Sequence, residues 1–86
     1  MENLEKTILI ETEKKINIKL PYYCINICYA FKIIDAQTAI KVIFTLSEVG
    51  IEKTPYFNSV FNPSNDFKEI TESEFLAKYN EIKSLI

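Results

Sequence analysis

The first ordered pattern along the chain is an alternation. Ile16, Ile18 and Leu20 take turns with Asn17 and Lys19, a period of two that predicts a strand with one buried and one wet face. A second Ile-rich run, Thr7 to Thr12, precedes it across the polar stretch Glu13-Lys14-Lys15, so the two are expected to pair antiparallel. Pro21 cannot donate to a ladder and is expected to end or bend the second strand.

From Tyr22 to Phe44 the chain is almost continuously apolar, interrupted by Asp35-Ala36-Gln37-Thr38. This reads as one hairpin. Ile27, Tyr29, Phe31 and Ile33 are expected on one face of the first arm, and Ile40, Val42, Phe44 and Leu46 on one face of the second. Asp35 can start the turn by accepting from the backbone, although Ala36 to Lys41 also suits a helical turn. Gly50, the only glycine, is expected to supply a positive φ in a tight turn closing the second arm. Thr54 to Asp66 carries Pro55 and Pro63 among Tyr56, Phe57, Val60 and Phe61, which predicts an irregular loop or short edge strand anchored by aromatic groups.

The chain closes on a helix, expected over about residues 72–85. Thr71 and Glu74 have the spacing of a capping box, and Ile70 and Phe75 that of a hydrophobic staple. Phe75, Tyr79, Ile82 and Ile86 recur at steps of four, three and four and span roughly 60° of the helix circumference at about 100° per residue. Leu76 and Leu85 flank that stripe, and Glu74 and Lys78 are ordered to form an i, i+4 pair. The expected fold is therefore α+β: a single domain over residues 1–86, with a small antiparallel sheet of four or five strands, built from hairpins, packed by one C-terminal helix.

Composition narrows the chemistry more than it names it. The 86 residues suit one domain of modest stability, for which docking against a partner or a second copy is a real gain. Ten Lys oppose twelve acidic residues with the signs interspersed, and Arg is absent, so nucleic acid is not an expected partner. The Ile, Lys and Asn usage, with no Arg, His or Trp, has the look of an AT-rich coding bias. The start of the chain lacks a secretion-signal pattern and no apolar run reaches bilayer length, so a cytoplasmic location is expected, or a virion if the protein is phage-encoded, with no membrane association.

Without His, the commonest general base and metal ligand is missing, and with one Gly there is no phosphate-cradling loop. Cys24 and Cys28 cannot complete a tetrahedral site alone. On one continuous strand they would stand roughly 13 Å apart, too far for a disulfide. They read as ordinary buried or half-buried thiols. Asp35 and Asp66 read as turn formers, and Glu72 and Glu74 as capping and dipole charges. No cofactor, metal or catalytic residue is expected.

The aromatic groups least used by periodicity are Tyr22, Tyr23, Tyr56, Phe57 and Phe61; core packing is the first expectation for each, and its rival is a binding surface, in which with Val60 they form the candidate protein interface. The reading favoured is a non-enzymatic protein-interaction or assembly module, self-associating or bound to a protein partner, of the kind found among phage and mobile-element accessory or structural proteins. Its interface is expected at the Tyr56 to Phe61 loop and at an unpaired sheet edge. The alternative is a small ligand-binding domain or enzyme with a pocket between sheet and helix. A third reading, nucleic-acid binding, requires Lys14, Lys15, Lys19 and Lys32 to converge on one face.

Overall fold

The nearly continuous apolar character of Tyr22 to Phe44 has a structural cause: its strands are covered on both faces, so both members of an alternating pair pack against a core. The computed structural model describes residues 6–10 and 15–86. Its elements are β1 (Lys6–Ile10), β2 (Ile16–Leu20), β3 (Tyr22–Ile25), β4 (Tyr29–Asp35), β5 (Thr38–Phe44), β6 (Val49–Thr54), β7 (Lys68–Glu69) and α1 (Glu72–Lys83). Two 3-10 turns, Asn58–Phe61 and Pro63–Asn65, lie between β6 and β7. The fold is α+β, with a five-stranded antiparallel sheet in the order β6-β5-β4-β3-β7 and a separate β1-β2 pair.

Parity along the strands sorts the two cores. Tyr22, Cys24, Tyr29, Phe31, Ile33 and Ala39 pack with Ile10, Ile18 and Leu20 of the β1-β2 pair and with Phe57 and Val60 of the connecting loop. Tyr23, Ala30, Ile40, Val42, Phe44 and Ile51 pack with Phe75, Tyr79 and Ile82 of α1. The alternation expected of β2 is present, with Ile18 and Leu20 buried and Asn17 and Lys19 exposed. Pro21 stands between β2 and β3 at the passage from one sheet to the other, after a cis peptide bond. Of the first expected strand, Glu11 and Thr12 lie outside the described residues, as do Glu13 and Lys14 of the following polar stretch.

The expected long first arm, Tyr22 to Ile34, is two strands joined by a turn. Asn26 makes that turn: its Oδ1 accepts from the Cys28 and Tyr29 amides, both at 2.8 Å, while its own N–H donates to the Tyr29 carbonyl. Ile27 consequently sits at the tip, 88% exposed, and does not share a face with Tyr29, Phe31 and Ile33. The second hairpin is as expected, with the Asp35 carboxylate accepting from the Gln37 amide at 2.8 Å and a bulge at Ile34.

Gly50 is a correction. It lies inside β6, opposite Ile43, without a positive φ. Thr45 to Glu48 make the turn instead, the Thr45 N–H and Oγ1 both donating to the Glu48 carbonyl at 2.9 and 3.1 Å. Leu46 is therefore a fully exposed turn residue and does not extend the Ile40, Val42, Phe44 face.

The capping box is complete: Glu74 N–H donates to Thr71 Oγ1 at 3.1 Å and Thr71 N–H to the Glu74 carboxylate at 2.9 Å. The Thr71 N–H bond and a second donated by Thr71 Oγ1, at 3.1 Å, hold the Glu74 carboxyl below its ordinary value. They also occupy it, so the i, i+4 pair expected with Lys78 is replaced by Lys78 to Glu81 at 3.0 Å. The helix ends at Lys83, which leaves Leu85 and Ile86 exposed and confines the packed stripe to Phe75, Tyr79 and Ile82.

Candidate functional site

Most of the expected aromatic interface is core in this chain. Tyr23, Phe57 and Val60 are all buried. The loop aromatics point inward because Asn and Ser side chains tie the two 3-10 turns together: Asn62 Oδ1 accepts from Ser64, and Asn65 Nδ2 donates to the Ser59 carbonyl at 2.7 Å. Tyr22 and Phe61 are half-buried and face each other, ring centroids 5.8 Å apart. Burial, with Cys24 and Glu69 nearby, raises the Tyr22 phenol. Tyr23 reaches Phe75 at 5.5 Å and donates to Glu72 Oε2 at 3.2 Å. Only Tyr56 remains well exposed, at 83%.

The cysteines also change their relation. Because the chain reverses at Asn26, they occupy a strand and a turn, and the extended spacing of roughly 13 Å does not apply. Both are free thiols; Cys24 is buried and Cys28 half-buried. Burial pushes the Cys24 thiol up to about 12, which keeps it protonated and unreactive at neutral pH. Titration with a thiol-specific disulfide reagent is expected to find one reacting thiol, Cys28, in the native protein and two after denaturation. Rapid reaction of two native thiols would contradict the burial of Cys24.

Between α1 and the β3-β7 side of the sheet lies an open groove of about 600 Å³, lined by Ile25, Ile27, Ile70, Lys68, Glu74 and Lys78 among others. Its charges are mixed in sign and partly spoken for: Glu74 caps the helix, and Lys78 pairs with Glu81 while lying 4.6 Å from the Phe44 ring centre. Among the described residues no three His, Cys, Asp or Glu side chains come together in a metal-binding group. No described helix is long and apolar enough to cross a membrane.

Nor do the lysines form one face. Lys15 and Lys19 are exposed at and along β2, on the side of the sheet covered by the β1-β2 pair, whereas Lys32 lies over Tyr23 on the helix side. Lys14 lies outside the described residues.

The feature best suited to meet another molecule is the outer edge of β6, an unpaired sheet edge of this fold among the described residues. Among the described residues β6 pairs with β5 alone. Its hydrogen-bonding phase follows from two neighbouring bonds, Phe44 N–H to the Cys28 carbonyl and Thr45 N–H to the Glu48 carbonyl. In an antiparallel ladder residues alternate in the side to which they direct their N–H and C=O. Residues 40, 42 and 44 of β5 therefore address β4, and Ala39, Lys41 and Ile43 address Thr54, Glu52 and Gly50. The backbone groups of Val49, Ile51 and Lys53 point away from the sheet. Leu46 before the strand and Tyr56 after it place exposed apolar surface at both ends of this edge, and Val49 is 40% exposed within it.

Asn26 and the β6 phase are what sequence reasoning missed. Asn between two apolar runs was a turn signal available in Cys24-Ile25-Asn26-Ile27-Cys28, whereas the phase of β6 needed the neighbouring ladder. Comparison of the chain with protein-family models, curated proteins and solved structures returned no match.

Proposed function

We propose that this protein is a non-enzymatic interaction or assembly module that engages its partner by strand addition along β6. The observation that carries this reading is the row of outward backbone groups at Val49, Ile51 and Lys53 between exposed Leu46 and Tyr56. An added strand would satisfy those groups with main-chain bonds, and the flanking side chains would supply apolar contact. The buried, protonated Cys24 and the absence of His support a binding role over catalysis.

Lys53→Pro isolates the edge. Its N–H points outward, so proline removes a donor from the edge without removing one from the β5 ladder. The wild-type chain is expected to retain its binding partner, a second copy or another protein, and Lys53→Pro to lose it with the melting temperature little changed. On complex formation the Val49, Ile51 and Lys53 amides should become protected from hydrogen exchange, while those of Gly50, Glu52 and Thr54 are protected throughout. A partner held equally by the proline variant, with no new protection in β6, would place the interaction elsewhere.

A further inference from the structure

We infer that the strand added to β6 is β6 of a second copy, paired antiparallel about Ile51 to give one ten-stranded sheet, five strands from each chain. This rests on the strand-addition reading and specifies its occupant.

The geometry leaves few ways to do it. Joining two copies of one edge antiparallel requires a two-fold axis normal to the sheet, which keeps both helices on the same side and pairs residues that share a face. The axis must therefore pass through a residue's own level; an overlap of three or more strand residues allows Gly50, Ile51, Glu52 or Lys53, and the last sets two Lys53 side chains directly opposite, a like-charge pair. Centred on Gly50, the pairing sets Glu48 opposite the partner's Glu52. Centred on Glu52, it sets two Glu52 side chains opposite each other and Pro55, which has no N–H, opposite the partner's Val49. Like charges directly opposite disfavour both.

Centred on Ile51, no like charges oppose. Ile51 meets the partner's Ile51, Val49 meets the partner's Lys53, and Glu52 meets the partner's Gly50, where its carboxylate keeps its 3.0 Å pairing with Lys41. The outward groups of Val49, Ile51 and Lys53 are then all matched, each residue pair exchanging two main-chain bonds. Ile51, already part of the helix-side core, gains apolar cover from its symmetry mate. The same register brings the Leu46 turn of each chain beside the Tyr56 segment of the other, joining the two exposed apolar groups that the single chain leaves at opposite ends of its edge. A contact of this extent falls at the small end of specific interfaces, below about 1,000 Å², so association in the micromolar range or weaker is expected.

The register is tested by charge at Gly50, whose Cβ position has room, the nearest atom being Ile43 Cδ1 at 3.9 Å. Gly50→Lys and Gly50→Glu change the backbone alike but present opposite charges to the partner's Glu52. Sedimentation equilibrium up to about 1 mM chain is expected to show a wild-type monomer–dimer equilibrium, with dissociation constants for the two variants roughly tenfold apart, Lys tighter. Lys53→Pro, followed by circular dichroism to verify the fold, is expected to weaken the dimer roughly a hundredfold by removing two donors and orphaning their acceptors. A strict monomer at 1 mM overturns the self-pairing, while loss of a different protein partner in Lys53→Pro would still sustain strand addition itself. A dimer indifferent to Lys53→Pro overturns both, and a dimer lost in Lys53→Pro but equally strong with Lys or Glu at position 50 overturns the Ile51 register.

Discussion

Phe75→Ala is expected to destabilise the protein by about 3–5 kcal/mol, the range for emptying a buried aromatic site. Phe75 is 2% exposed, touches the Tyr23 ring at 5.5 Å and the Tyr79 ring at 6.0 Å, and shares a core with Ala30, Val42 and Ile82. Ala30 and Val42 are fixed on strands and cannot follow a shrinking side chain, so the cavity persists. An 86-residue domain has a total stability of about 4–13 kcal/mol. The loss is therefore a large fraction of the whole, and urea unfolding should show a midpoint far below the wild type. Leu76→Ala, one residue on and 43% exposed, is expected to cost under about 1 kcal/mol. Equal effects at the two positions would mean that α1 does not close the sheet through the Phe75 face.

The second large effect separates two adjacent aromatics. Phe57→Ala should cost about 3–5 kcal/mol, since Phe57 is 2% exposed and packs with Val60, Ile33 and the β1-β2 pair. Tyr56→Ala should leave chemical denaturation almost unchanged, within about 0.5 kcal/mol, because Tyr56 is 83% exposed. If Tyr56 supports the edge of β6, its loss should appear in association and not in the unfolding of dilute protein. The reverse pattern, a costly Tyr56 and a silent Phe57, would invert the orientation of the whole segment.

That contrast shows where one-dimensional patterns stopped being informative. Helix α1 was legible because its signals are local: Thr71 and Glu74 satisfy each other's backbone within one turn, and Phe75, Tyr79 and Ile82 recur at helical spacing. The hairpin at Asp35 was legible for the same reason. Its preceding arm was misread because a sheet covered on both faces erases the alternation by which strand ends are recognised, so Asn26 stood inside what looked like one long run. Gly50 misled in the opposite way. A glycine permits a turn without requiring one, and Thr45 supplied the bonds that made the turn five residues earlier. The loop aromatics are open to both a core and a surface reading in the sequence because no period claims them; Asn62 and Asn65 decide it by folding that loop back, which brings Phe57 and Val60 inward. The edge of β6 was foreseen as a kind of feature. Which of its residues face outward depends on bonds made two strands away.

The two-sided sheet has a further effect on how the molecule tolerates change. Its backbone is a partition: the buried side chains on the helix side form one cluster and those beneath the β1-β2 pair another, so neither population relaxes into a void opened in the other. Losses on opposite sides should consequently accumulate in full, as they do for sites without common partners, while the all-or-none unfolding of a small domain registers only their total. Two individually bearable defects, one on each side of the partition, can thus exhaust the stability of the chain. The substitutions most dangerous in combination are then the ones that never meet.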